Sequence, residues 1–246
     1  MKQKNPTVSF IIRTKNEQKF IGKVLKYIFA QTYKDIEVII VDSESTDETL
    51  NIIKNFPVKV IKIKQKDFSY SYSLNLGIKN SKGKYICIIS GHSIPITDNW
   101  LEKGLSNFKN KKVAGVTGVC IVINPLGYIS RKIGFLVSFL SLYILYRRTE
   151  DLFFINNTNS IIRKDLWKEY PFNEKLKECE DLDWATEMKA RGYKLVRDPA
   201  FSVFHSHIFL KGKPRYITRF LRWWKIGREI KNKKRPSTPH SRISTN

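Results

Sequence analysis

Four short apolar runs, alternating with segments of helical spacing, constrain the fold of this chain more than any other feature. Residues 8–12, 36–41, 58–63 and 85–89 are short and apolar, the pattern of strands buried on both faces. Between them, residues 17–31 place Phe20, Ile21, Val24, Leu25 and Ile28 on one helical face. Ser45, Thr46, Asp47 and Glu48 supply the capping group and early acids of a second helix, and a third runs through residues 71–80. Such alternation predicts an α/β fold: an open, mostly parallel sheet covered by helices. Ligands of such sheets sit beyond the carboxyl ends of the strands. Those ends are polar here: Arg13 to Glu17, Asp42 to Ser45, and Ser90 to Ser93.

After Asn124 and Pro125 the pattern changes. Residues 133–146 are uncharged and rich in Leu, Phe and Tyr, between Arg131-Lys132 and Arg147-Arg148. A spanning helix needs about 20 apolar residues, so this stretch is too short to cross a membrane. Two readings stand: a buried core helix, or a helix lying in a membrane interface. Residues 153–163 read as a strand pair or turn, 181–191 as a helix stopped by Gly192, and 193–196 and 201–205 as short strands. Glu180 and Asp181 suit a helix start through the helix dipole. With His205 and His207 following them, they also suit proton transfer beside a nucleotide site.

Composition narrows the partners. The net charge of +23 calls for an anion: nucleic acid, an acidic membrane surface or phosphorylated substrates. The charge is uneven, because residues 208–246 hold twelve Lys or Arg against one acid, Glu229. Residues 214–235 set Tyr216, Ile217, Phe220, Trp223, Trp224 and Ile226 among bases, the signature of an amphipathic helix on a membrane surface. Basic residues with aromatics also bind single-stranded nucleic acid. Beyond Pro236 the chain is polar and expected to be disordered. Cys87, Cys120 and Cys179 show no paired spacing, which predicts free thiols in a reducing compartment. The polar residues 1–6 lack the pattern of a signal peptide, so a cytoplasmic location is expected.

Several segments, in order, resemble the family 2 glycosyltransferases of GT-A fold. They are residues 9–17, Gln31-Thr32-Tyr33, residues 41–47, Asn75-Leu76-Gly77-Ile78, Gly83-Lys84-Tyr85-Ile86, Ile94-Pro95, Asn99-Trp100-Leu101, residues 157–163, and Glu180-Asp181. The similarity covers about residues 7–207, the ordered set being more specific than any piece. Within the family, the start of residues 13–17 and the end of residues 205–207 look most like bacterial rhamnosyltransferases.

The resemblance implies a GT-A domain over residues 1–207 and a membrane-associating tail over 208–246. It implies inverting transfer of a sugar from a nucleotide-diphosphate sugar to a hydroxyl of a glycan or lipid-linked acceptor, at the inner face of the cell membrane. Nucleic acid is then not the expected partner. Thr14, Asn16, Glu17, Asp42, Asn75, Gly91 and His92 would line the donor site, with Asp42 accepting from the base and Asn75 near the diphosphate or the sugar. Asp181 would be the general base, with Asp183 as a substitute, and Asn157, Glu180 and Trp184 would lie on the acceptor side, Trp184 stacking on a sugar ring or filling the core. Asp42 and Asp47 also suit simple turn or capping roles.

One departure matters. Where the family carries an Asp-x-Asp motif for a divalent metal, this chain reads Ser90-Gly91-His92. Three readings stay open. A metal such as Mn²⁺, more tolerant of nitrogen than Mg²⁺, is held by His92 with His205 or His207. Or bases such as Lys211 and Arg215 carry the diphosphate charge without a metal. Or the domain binds its donor without transfer.

Overall fold

The computed structural model describes residues 6–122, 147–152, 154–205, 225–230 and 232–233. The expectations placed on residues 133–146, on His207, Lys211 and Arg215, and on the aromatic bases of 214–224 fall outside them. In chain order the elements are β1 (Val8–Thr14), α1 (Ile21–Phe29), β2 (Ile36–Asp42), α2 (Thr49–Ile53), β3 (Lys59–Lys62), α3 (Tyr70–Lys79), β4 (Tyr85–Ser90), β5 (Ser93–Pro95) and α4 (Trp100–Ser106). There follow β6 (Val113–Thr117), β7 (Cys120–Val122), β8 (Asn159–Arg163), α5 (Lys164–Glu169), α6 (Glu180–Ala190), β9 (Lys194–Arg197) and β10 (Val203–His205).

Seven strands form one sheet in the order β3-β2-β1-β4-β8-β6-β9, and β5-β10-β7 form a second. Strands β1 to β4 run parallel, while β8 is antiparallel to both β4 and β6. The described residues 154–163 supply one strand, β8, preceded by a turn at 157–158, rather than a strand pair. Strands β2 and β3 fill outward from β1 to one side and β4 fills the other, so the order reverses between β1 and β4. That reversal opens a crevice at their carboxyl ends.

Both faces of the sheet are covered, as continuous apolar strands require. Phe10, Ile12, Val38, Ile40, Cys87 and Ile89 pack on one face with Val24, Leu25 and Ile28 of α1 and Trp100 of α4. Ile11, Ile39, Ile86 and Ile88 pack on the other with Leu74 and Ile78 of α3 and Trp184 and Met188 of α6. Each such side chain contributes about 1.5–3 kcal/mol when fully buried, and a one-residue slip would exchange the two sets. The approach of α3 to β1 is close: a Cβ on Gly77 would lie 2.7 Å from Ile11 Cγ2.

Two helices start later than their periodicity predicts, for one reason. Polar side chains at the strand ends take backbone donors that a helix would otherwise use. Asp42 Oδ1 accepts from Ser45 N (2.9 Å) and Asp47 Oδ1 from Thr49 N (3.0 Å), so the chain turns twice before α2. Glu17 N donates to Thr49 Oγ1 (2.7 Å), and the helix after it begins at Ile21.

The three cysteines are free, and burial pushes the Cys120 thiol up to about 12. Among the described residues no helix is long and apolar enough to cross a membrane. The described part of the tail, helical over 225–230, packs on the domain. Ile230 is buried, a Cβ on Gly227 would lie 3.6 Å from Leu182 of α6, and Lys233 Nζ reaches Tyr170 Oη at 3.5 Å. Replacing Ile230→Ala is therefore expected to lower the unfolding free energy by about 2 kcal/mol or more in denaturant titration. An unchanged midpoint would mean that this segment contributes nothing to the folded domain.

Candidate active site

The crevice is framed by two registers: Arg13 pairs with Ser90 across β1 and β4, and Thr14 with Asp42 across β1 and β2. Thr14 Oγ1 donates to Asp42 Oδ2 (2.8 Å), which also accepts from Ser45 Oγ (2.5 Å). With Oδ1 on Ser45 N, this fully buried carboxylate is spent on the loop after β2. The structure thus gives Asp42 three protein donors that fold the loop after β2. Asn16 ties the same loops together: its backbone N–H donates to Ser45 Oγ (2.9 Å) and its Oδ1 accepts from Thr46 N (2.8 Å). Asn16 and Glu44 both adopt left-handed backbone (φ 54° and 58°), strain of the kind concentrated at functional loops.

On the β4 side, Gly91 lies under the loop after β1. A Cβ there would come within 3.2 Å of Glu17 Cγ and 3.3 Å of the Arg13 carbonyl oxygen. Glu17 Oε1 meets His92 Nδ1 at 2.8 Å, and Ser90 Oγ lies 3.1 Å from His92 Nε2. A carboxylate can only accept, so Nδ1 carries the proton. His205, at the end of β10, has its Nδ1 on Ser93 Oγ (2.8 Å), and its ring centroid is 4.7 Å from that of His92. The fold has thus brought together two of the three histidines that the sequence suggested. Each is anchored at Nδ1, the arrangement in which a metal-binding imidazole is usually held. Among the described residues no group of three His, Cys, Asp or Glu converges to hold an ion alone. A divalent ion fits here only if a diphosphate and water complete its shell, and the nitrogen donors favour Mn²⁺ over Mg²⁺.

The carboxylates lie next to this corner. Ser90 N donates to the Thr158 carbonyl (3.1 Å), because β8 enters antiparallel beside the end of β4. The neighbouring Asn157 N donates to Asp181 Oδ2 (3.3 Å), and Asn157 Nδ2 to Glu180 Oε1 (3.2 Å). Ser160 Oγ holds Asn157 Oδ1 (3.2 Å). Cys179 turns the chain into α6 with a left-handed backbone (φ 67°) and offers no side-chain cap. Burial pushes the Asp181 carboxyl up to about 7, and the charge of Glu180 adds to that; the N–H groups of Asn157 and Leu182 and the charge of Arg13 oppose it.

Three expected site residues face elsewhere. Trp184 is fully buried beside Phe172, so it fills the core and has no face for a sugar. Asp183 points inward and accepts from Tyr170 Oη (2.9 Å), on the opposite side of α6 from Asp181. Asn75 uses its whole amide on the protein: Nδ2 donates to the Phe172 carbonyl and Glu174 Oε1 (2.8 Å each), and Oδ1 accepts from Trp167 Nε1 (3.0 Å) and Phe172 N (3.2 Å). It anchors α3 to the 172–174 loop. Two residues beyond the sequence assignments belong to the site. Ser93 lies in the polar stretch 90–93 noted in the sequence, and Arg13 follows Ile11 by two in β1 and so shares the α3 and α6 face.

The raised Asp181 has a consequence for stability. Between the ordinary 3.8 and about 7 the folded protein keeps a proton that the unfolded chain releases. Stability therefore falls as pH rises through that window. Asp181→Asn, which mimics the protonated form, is expected to leave the melting temperature nearly unchanged below the window and raise it above. A melting temperature that responds equally on both sides would remove the case for a raised carboxyl.

The site and fold can now be set beside known proteins. The profile described as Glycosyl transferase family 2 matches residues 9–170. A dolichyl N-acetyl-alpha-D-glucosaminyl phosphate 3-beta-D-2,3-diacetamido-2,3-dideoxy-beta-D-glucuronosyltransferase of Methanococcus voltae is 36% identical over 127 residues, 46% of this chain and 38% of the relative. The O-antigen chain rhamnosyltransferase WbaN of Salmonella anatum is 27% identical over 189 residues, 72% of this chain and 58% of the relative. The chain thus spans well under two thirds of either relative. The mannosyltransferase PcManGT from Pyrobaculum calidifontis, solved with GDP-Man and Mn²⁺, superposes with a TM-score of 0.71 at 18% identity, over 95% of this chain and 67% of its own. The α/β sheet, its switch-point crevice and the family match agree: this chain belongs to glycosyl transferase family 2 and has its GT-A fold.

Proposed function

We propose that the protein transfers a sugar from a nucleotide-diphosphate sugar to a hydroxyl of a glycan or lipid-linked acceptor, with inversion, in the synthesis of a surface polysaccharide. The observation that carries this reading is the meeting, at one corner of the sheet, of a carboxyl poised near neutrality and an anchored histidine pair. The similarity to WbaN and to a structure holding GDP-Man supports the substrate class.

In the reaction so read, the acceptor hydroxyl gives its proton to Asp181 Oδ as its oxygen bonds to the anomeric carbon. The bond from that carbon to the diphosphate breaks, and the diphosphate leaves with the electron pair. A positioned base contributes about 10²–10⁴-fold, and a base near the working pH is best matched to the task. The backbone N–H groups of Asn157 and Leu182 hold Asp181 in place. Thr14, Asn16, Glu17 and Gly91 shape the donor side. His92 and His205 would hold a divalent ion, which when bound neutralises charge on the diphosphate. His207 is the third candidate ligand named by the sequence. The basic tail would set the site against an anionic membrane, at about 1 kcal/mol per base near the surface. On this reading the protein works peripherally at the cytoplasmic face.

Two outcomes follow. Asp181→Asn should lower turnover by about 10²–10⁴-fold while nucleoside diphosphates still bind, and wild-type kcat/KM should rise with pH through about 7 as the base ionises. Full turnover by Asp181→Asn would sink the assignment. Calorimetry with UDP and GDP, in Mn²⁺ and in EDTA, tests the metal. Chelation should weaken binding in the wild type and change nothing in His92→Ala or His205→Ala. Equal affinity with and without EDTA in the wild type would exclude a metal held by this pair.

A further inference from the structure

The helix that carries the proposed base begins with little to hold it. Cys179 enters α6 in left-handed backbone (φ 67°) and supplies no side-chain cap. A capping side chain satisfies one of the orphan N–H groups that a helix start otherwise leaves open. Glu180, Asp181 and Asp183 suit the positive end of the helix dipole, but a dipole does not fix where a side chain points. Within the turn, Leu182 N donates to Asp181 Oδ1 (2.8 Å) and Asp183 N to the Cys179 carbonyl oxygen (3.0 Å). The direction of Asp181 therefore depends on the amide of its neighbour, Leu182.

The tail reaches this turn from outside. Along the helix of residues 225–230, Lys225, Arg228 and Glu229 are exposed, Ile226 and Gly227 are half-buried, and Ile230 is buried. Positions 226, 227 and 230 share one helical face. A Cβ on Gly227 would lie 3.6 Å from Leu182 Cδ2. Past the buried end, Lys233 Nζ lies 5.9 Å from the centroid of the Tyr170 ring and 3.5 Å from its Oη. Tyr170 Oη in turn donates to Asp183 Oδ2 (2.9 Å). The tail thus meets Leu182 directly and Asp183 through Tyr170, the two residues that follow Asp181. A helix this short is marginal in water by itself, so its order depends on the docking.

We infer that the tail helix is a positioning element for the reaction: docked on Leu182 with Ile230 buried, it braces the uncapped first turn of α6 and so fixes the direction of Asp181 toward the acceptor hydroxyl. The inference rests on Asp181 being the base, but the brace itself can be read without turnover. Amide hydrogen exchange, followed by NMR in the full chain, reports it at Leu182 and Asp183. Two variants undock the helix differently: Ile230→Ala removes the buried side chain, and Gly227→Glu sets a charge against Leu182. Each is expected to speed exchange at 182 and 183 by about 10-fold or more, with β1 and β4 amides unchanged under the same conditions. Each should also lower kcat by about 10-fold or more, since a misplaced catalytic group costs up to about 10²-fold. UDP and GDP affinity, measured by calorimetry, should stay as in the wild type. Ile230→Val, which keeps most of the buried volume, should restore both protection and turnover.

Unchanged exchange at 182 and 183 in both variants overturns the inference. So does faster exchange spread evenly over the sheet, which would make the tail a source of stability alone. Faster exchange confined to the turn with full kcat would leave the brace without a role in positioning, and the inference falls there too. If Asp181→Asn itself still turns over, the assignment of the base falls, and the positioning role falls with it.

Discussion

The pairing of β1 with β4 is the constraint on which the rest of the structure depends. It is parallel, in a register that sets Arg13 beside Ser90, and it lies where the strand order reverses. Everything chemical hangs from that level of the sheet. The loop after β1 carries Asn16 and Glu17, the turn after β4 carries Gly91 and His92, and β8 enters antiparallel so that Asn157 and Thr158 arrive beside them. The two-faced burial of Ile11, Ile12, Ile88 and Ile89 holds the register, since a slip of one residue would drive Arg13 into the opposite core.

A second theme is how charge is managed at that corner. At the end of β2, Asp42 accepts three hydrogen bonds that fold the loop after it. Asp181 accepts from Asn157 N at 3.3 Å and Leu182 N at 2.8 Å and keeps a near-neutral carboxyl. Two aspartates of the same chain thus differ: one is held by three donors, and the other is pushed up by burial first and by the charge of Glu180 second. The imidazoles show the same logic in reverse. Glu17 and Ser93 occupy Nδ1 of each ring, which fixes its orientation, and Ser90 Oγ lies 3.1 Å from Nε2 of His92.

The sheet was legible in the sequence because its strands are buried on both faces, and four apolar runs can hardly do anything else. The helix starts were less so: Asp42, Asp47 and Thr49 compete locally for backbone donors, and a periodicity count does not register that competition. Within the site, Asp181 and the histidine pair were readable as residue types at strand and helix ends. Asn75 and Trp184 were misplaced in emphasis because a motif does not reveal which polar or aromatic groups are already satisfied. Asn75 spends its amide on Trp167, Phe172 and Glu174, nearly a hundred residues away in sequence. Ser93 was read only as part of a polar strand end, because its partner His205 is brought by the second sheet.

The account stands or falls on where the donor diphosphate rests. A crystal structure with UDP or GDP and Mn²⁺, with the ion located by its anomalous signal, asks this directly. The account predicts the ion at the paired rings of His92 and His205, with the diphosphate in the crevice between the ends of β1 and β4. An ion and nucleotide bound away from that crevice, with the histidine pair untouched, would contradict it.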